Sequence, residues 1–387
     1  MFHRIAKPLL SHSFFLLGPR GSGKTTMLKS LFPGKKALWI DLLDPAAEDR
    51  YARRPELLDQ ELAALGRGAG WVVIDEVQKL PKLLDVAHRH IEARGLRFAL
   101  TGSSARRLKR GSANLLAGRA FVNHLHPLTA SELGGAFRLE EALAWGTLPK
   151  AVELKTAEER SEFLRAYALT YLKEEVWSEH VVRRLEPFRR FLSVAAQCNG
   201  QILNFSNVAK DVGADTKTVQ SYFEILEDTL VGRLLEPYHR SLRKRQRQNP
   251  KFFLFDPGVK RALEGSLNVP LASGTYEFGA AFEHWVILEA WRLNDYLKRD
   301  YRFSYLRTKD DAEIDLVVER PGKTPVLLEI KSAEAVTERH TRGLERFARD
   351  FPKSPAYCLS RDPRDKKIGA VWALPWSKGL AEIGLAG

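Results

Sequence analysis

Short apolar runs alternate with amphipathic stretches over the first third of the chain. Phe14-Phe15-Leu16-Leu17, ALWIDL at 37–42, Trp71-Val72-Val73-Ile74, Arg97-Phe98-Ala99-Leu100 and Phe121 to Leu125 have strand length and little polar alternation. Strands covered on both faces read in this way. Helical periodicity lies between them, through Leu28 and Leu31 and again over 83–93. The order predicts strands at 14–18, 37–42, 71–75, 97–101 and 120–125, forming a parallel sheet with crossover helices, an α/β fold. Residues from Glu132 to Leu164 then read as a small helical lid, broken at Gly146-Thr147-Leu148-Pro149.

In the middle, SNVAKDVGADTKTVQSYFEIL (Ser206 to Leu226) holds two helical patterns separated by Gly213-Ala214-Asp215. Val208, Ala209 and Val212 share one apolar face and Val219, Tyr222, Phe223 and Leu226 the next, with Ser206 and Asp215 as suitable N-caps. This is helix-turn-helix spacing, and paired strands at Leu234–Tyr238 and Phe252–Phe255 would add a wing. Beyond it, a helical stretch around Phe282-Glu283-His284-Trp285 precedes strand-like runs at 302–306, 314–318 and 326–330. A helical pattern at 338–351 and a strand at 356–359 complete the order αβββαβ. The expected domains are a core at 1–128, the lid and linker at 129–190, a winged helix-turn-helix at 191–262 and an αβββαβ domain at 263–387.

Composition narrows the partners. At 387 residues and 44% hydrophobic content the chain can bury more than one core, and its net charge of +13 favours a polyanion, nucleic acid or an anionic membrane. The longest uncharged run, Phe191 to Ala209, is interrupted by Ser193, Gln197, Asn199, Gly200, Gln201 and Asn204, so it does not suit hydrocarbon. The residues before the first motif lack a cleavable hydrophobic region, and Cys198 and Cys358 have no metal-ligand spacing. A cytoplasmic protein with two free thiols and no membrane partner is the expectation.

Candidate chemistry sits at strand ends. Gly18-Pro19-Arg20-Gly21-Ser22-Gly23-Lys24-Thr25-Thr26 follows a strand and opens a helix, the context a phosphate-binding P-loop requires. Its glycines let backbone N–H groups close around phosphate, Lys24 reaches the terminal phosphates, and the Thr25 hydroxyl takes a place on magnesium. Asp75, at the end of an apolar strand, can hold the same ion through its shell, and Glu76 can polarise the attacking water. Thr101 or Ser103, at the end of the next strand, is a candidate sensor of the γ-phosphate. Arg119 suits an arginine finger, or is one surface charge among the five basic residues of 103–119. ATP and Mg²⁺ are the implied cofactors.

The helix-turn-helix would offer Lys217 and Thr218 to DNA, and the loop from His239 to Lys251 has six Lys/Arg, among them Arg243, Lys244, Arg245 and Arg247, and no acid. The alternative is a protein contact. In the last third Glu329 follows Asp315 by 14 positions, with Lys331 two further on. Period two puts Glu329 and Lys331 on one strand face. This is the pattern of a PD-(D/E)XK nuclease core, in which carboxylates hold a second Mg²⁺ or Mn²⁺ and lysine orients water, with Glu283 completing the cage. The competing readings are a cross-strand ion pair, or a nuclease fold retained for DNA binding without cleavage.

As a set, GPRGSGKT, VVIDEVQKLP, LTGSSARRL, LAGR, WGTLPKAV, FEHWV, EIDLVV and LLEIKSAE resemble a prokaryotic family of AAA-type P-loop ATPases. That family carries a conserved carboxyl-terminal domain of unknown function with a PD-(D/E)XK nuclease-like end, and the resemblance covers residues 1 to about 335. It implies an ASCE/AAA-type ATPase core, supports Arg119 as a finger and supports Glu283, Asp315, Glu329 and Lys331 as a site. It also implies a homo-oligomer, with a hexamer as one form, in which a neighbour's arginine completes each nucleotide site. The expected function is a DNA-dependent ATPase that translocates on or remodels branched or broken DNA, with the nuclease-like end recognising or cutting it. The alternative is an ATP-gated switch that binds protein partners.

Overall fold

A computed structural model describes residues 2–33, 37–65, 70–103, 116, 118–171, 185–239, 248–308, 310 and 312–387. The chain divides into two compact units, one of His3–Pro127 with Asp228–Val231, the other built from Leu128–Glu227 and Gly232–Gly387. Each has its own sheet.

In the first unit β1 (Ser13–Leu17), β2 (Ala37–Asp41), β3 (Trp71–Asp75), β4 (Arg97–Gly102) and β5 (Ala120–His124) lie in the order β2-β3-β4-β1-β5, every pair parallel. The central strands β1, β3 and β4 read as continuous apolar runs because both faces are covered: Phe15, Leu17, Val72, Ile74, Phe98 and Leu100 pack with Leu58, Leu62, Leu83, Leu84 and Ala87 on one side. Phe14, Leu16, Val73 and Ala99 are fully buried on the other. Burial of each large side chain contributes roughly 1.5–3 kcal/mol. The consequence for function is placement, since β4 lies between β1 and β3 and carries Thr101 between the glycine loop and Asp75.

The second unit contains β6 (Gly232–Pro237), β7 (Lys251–Leu254), β8 (Arg302–Arg307), β9 (Glu313–Glu319), β10 (Val326–Lys331), β11 (Ala356–Ser360), β12 (Lys366–Ile368) and β13 (Val371–Pro375). They form one mixed sheet in the order β12-β13-β11-β10-β9-β8-β6-β7. Helices Phe205–Val212 and Thr216–Asp228 meet at Gly213, which adopts a φ of 72°. Their expected apolar faces, from Val208 to Leu226, are buried. Asp215 accepts from the Thr218 amide at 2.9 Å, as an N-cap does. The first helix is capped by Asn204, which accepts from Asn207 N at 3.1 Å, so Ser206 lies inside the helix rather than at its cap.

The β6–β7 hairpin does not stand apart as a wing. The end of β6 pairs in parallel with β8, Glu236 against Ser304 and Pro237 against Tyr305, which joins the hairpin to the carboxyl-terminal sheet. The segment expected as a lid is helical, at Ala130–Leu133, Leu139–Trp145, Pro149–Glu153 and Ala157–Ala166, and belongs to this same unit. Its break is pinned. Gly146 has a φ of 69°, the Thr147 amide donates to Asp256 Oδ2 at 2.8 Å, and a Cβ on Gly146 would stand 1.9 Å from Asp256 Oδ1. Fully buried Arg292 donates to the carbonyls of Leu128 and Phe255 and to the Thr147 hydroxyl. Cys198 and Cys358 are unpaired thiols, and no described helix is long and apolar enough to cross a membrane.

Candidate functional site

The glycine loop links β1 to helix Lys24–Leu31. Gly21 and Gly23 adopt φ of 77° and 94°, which side chains with a Cβ rarely take, and the left-handed Gly23 starts the helix. A Cβ on Gly18 would stand 2.1 Å from the Leu125 carbonyl. Lys24 is buried and donates to the carbonyls of Gly18 at 2.9 Å and Pro19 at 3.3 Å. Its ammonium lies 3.7 Å from Glu76.

Across the loop, Thr25 donates its hydroxyl to Asp75 Oδ2 at 2.6 Å, and Thr101 donates to the other carboxylate oxygen. Burial pushes the Asp75 carboxyl upward, against the two hydroxyls that favour its charged form. Glu76 adopts a φ of 58°, a left-handed conformation that a non-glycine residue takes only where its surroundings enforce it. Its amide donates to Thr101 at 2.8 Å. The Gln78 amide donates both to Glu76 Oε2 and, at 3.0 Å, to Ser103. Thr25 and Asp75 thus place hard oxygens side by side at the start of the loop's helix, a donor set that fits magnesium.

Of the two sensor candidates, Thr101 is fully buried and engaged with Asp75 and Glu76, whereas Ser103 shares Glu76 with Gln78. Arg119 is partly exposed and ion-paired with Glu92. Gln78 escaped sequence reasoning, although its place two residues after Glu76 at a strand end was a usable signal.

In the second unit, helix Tyr276–Leu297 and strands β7, β9 and β10 converge. His284 Nε2 lies 2.6 Å from the Leu254 carbonyl and is neutral, its pKa pushed down to about 3 by burial, so it donates to that carbonyl and ties the helix to β7. Lys331 is 2.5 Å from Glu329 and 3.9 Å from Asp315, and the Ile330 amide donates to Asp315 at 2.7 Å. Glu283 on the helix feels the Asp315 charge. Burial first, and Asp315 second, raise both Glu283 and Glu329 well above the usual carboxylate range. Glu329 Oε2 is buried without a partner. A cavity of about 310 Å³ opens beside Lys331, lined also by Ser273, Ser332 and His340.

Two members were not foreseen. Lys251, at the start of β7, pairs with Glu313 and lies 3.5 Å from Glu283. Glu313 precedes Asp315 by two positions on β9, a period that could have revealed it. Lys251 could not be foreseen, because only the β6–β8 pairing brings the hairpin here. The cluster therefore opposes four carboxylates with two lysines. Among the described residues no group of three or more His, Cys, Asp or Glu side chains stands arranged to hold a metal ion, and Glu283, Asp315 and Glu329 each face a lysine.

The expected DNA contacts are less defined. Lys217 is exposed, while the Thr218 hydroxyl is taken by Asp215 at 2.6 Å. Arg243, Lys244, Arg245 and Arg247 lie outside the described residues.

Residues 11–134 match the model of an AAA domain. The glycine loop, Thr25, Asp75 and Glu76 all lie within the residues that this AAA model matches. Residues 136–269 and 278–378 match two domains of unknown function, DUF8612 and DUF4143. Uncharacterized proteins of Mycobacterium bovis and Mycobacterium tuberculosis are each 28% identical over 318 residues, 82% of this chain and 69% of theirs. Among solved structures, the Aeropyrum pernix ORC2 protein in its ADP form aligns with a TM-score of 0.34 at 14% identity, covering 68% of this chain and 90% of its own. The Aeropyrum pernix ORC1 protein in complex with DNA aligns at 0.29 and 13%, covering 66% and 86%. At these TM-scores the likeness says nothing about function.

Proposed function

We propose that the protein is an Mg²⁺-dependent ATPase of AAA type that acts on DNA, translocating on or remodelling branched or broken DNA, with the carboxyl-terminal domain recognising its structure. The observation that carries the ATPase reading is the apposition of the Thr25–Asp75 and Lys24–Glu76 pairs at one loop. Lys24 exchanges its hydrogen bonds to the Gly18 and Pro19 carbonyls for phosphate oxygens. Glu76, held by Gln78, accepts a proton from the water that attacks the γ-phosphorus, and ADP and phosphate leave. Thr25, and Asp75 through the ion's shell, would hold magnesium, which would supply charge neutralisation at the phosphates. Arg119, at the surface beside Glu92, would serve the nucleotide of a neighbouring copy in a homo-oligomer.

The net charge of +13 and the basic 239–251 loop support a DNA partner. The ion-paired carboxylate cluster favours the second reading, an ATP-gated switch that binds protein partners and retains an inactive nuclease fold. ATP hydrolysis on linear, single-stranded and four-way-junction DNA decides between them, with Glu76→Gln as control. DNA-stimulated turnover that Glu76→Gln lowers by about a hundredfold or more supports the motor. Turnover indifferent to every DNA would sink it and leave the switch.

A further inference from the structure

Lys251 is an unusual lysine for a basic loop's end, since it is only 4% exposed. The backbone leading into it is held from several sides. Leu203 N donates to Pro250 O at 2.9 Å, the Tyr305 hydroxyl donates to Asn249 O at 2.5 Å, and Lys251 itself pairs with Leu235 and bridges to Ile202. The side chain has no comparable freedom either. Its ammonium sits 5.7 Å from the Tyr305 ring centroid, within cation–π range, and contacts Glu313 from β9 and Glu283 from the helix.

A buried ammonium costs free energy unless paired, and here two carboxylates from different elements supply the pairing. The reciprocal holds for the acids. Glu283 and Glu313 both face this one point charge, and a divalent cation would have to approach that charge and displace it to reach their oxygens. Lys331 does the same for Glu329 and Asp315, so the two lysines divide among themselves the acids that a metal would need to gather.

We infer that Lys251 is the built-in cation of this cluster, a positioning residue that holds Glu283 and Glu313 in ion pairs and keeps a divalent metal from assembling there. The hairpin that flanks the basic loop thereby sets the chemistry of the αβββαβ domain. This does not rest on the ATPase reading, and nucleotide-free protein tests it separately.

The test is Mn²⁺ binding to the nucleotide-free protein, followed by electron paramagnetic resonance titration. Wild type, Glu283→Gln and Glu329→Gln are expected to bind the same amount of Mn²⁺. Lys251→Met is expected to gain an additional equivalent, lost again in Lys251→Met with Glu283→Gln, whereas Lys251→Arg behaves as wild type. A purely structural lysine would not create a metal site on removal. Wild-type binding that Glu283→Gln or Glu329→Gln abolishes would overturn the inference, as would a folded Lys251→Met that gains nothing. Where Lys251→Met does not fold, the comparison of wild type with the two glutamine variants still decides.

Discussion

Single residues act here through what they hold. Gln78 orients Glu76 and Ser103 together, and Glu76 is already in a left-handed conformation. Replacing Gln78 by alanine should leave ATP affinity near wild type and lower kcat by about tenfold, because the water-polarising carboxylate loses its fixed position. Steady-state kinetics with a nucleotide-binding assay separates the two quantities. Glu289 gives a second residue-scale test. It is buried, accepts from the Ala130 amide at 2.7 Å, and burial raises its carboxyl to about 7. A raised folded-state pKa means that the native state holds the proton more tightly than the unfolded chain, so its contribution is present below pH 4.5 and lost as pH rises to about 7. Relative to wild type, Glu289→Gln should therefore become more stable between those limits, by on the order of 3 kcal/mol, in denaturant unfolding at a series of pH values.

At the scale of elements, the WGTLP break is a lock. Gly146 must be glycine both for its φ of 69° and for the approach of Asp256, so Gly146→Ala should cost more than about 2 kcal/mol by chemical denaturation. The five strands of the first unit were legible to within a residue or two, because β1, β3 and β4 are covered on both faces and the apolar runs have no competing period. The cap at Asn204 was missed because Ser206 has the same capping chemistry, and only backbone geometry distinguishes them. β12 is three residues, two of them lysines, and β13 follows it directly. So short and charged a run carries no strand periodicity of its own and owes its pairing to β13.

At the scale of the whole molecule, charge makes a prediction that does not depend on local geometry. If DNA is the partner, replacing Arg243, Lys244, Arg245 and Arg247 with alanine should flatten the dependence of log affinity on log salt by up to about 0.9 for each phosphate that is no longer neutralised. Fluorescence anisotropy over a salt series measures it, and an unchanged slope would remove the loop from the interface.

The sequence by itself marked the candidate nucleotide site, because a P-loop is a contiguous segment and Asp75 and Glu76 end the strand that carries them. It also marked Glu329 and Lys331, which share a face by simple period two. Only the tertiary structure decided what surrounds them. The parallel pairing of β6 with β8 is a contact between segments far apart in the chain, and no local pattern encodes it. Through that pairing Lys251, the last basic residue of its loop in sequence, becomes a buried counter-ion to Glu283 and Glu313. Charge neutralisation within a core depends on which side chains meet in space, and the order of residues along the chain does not specify it.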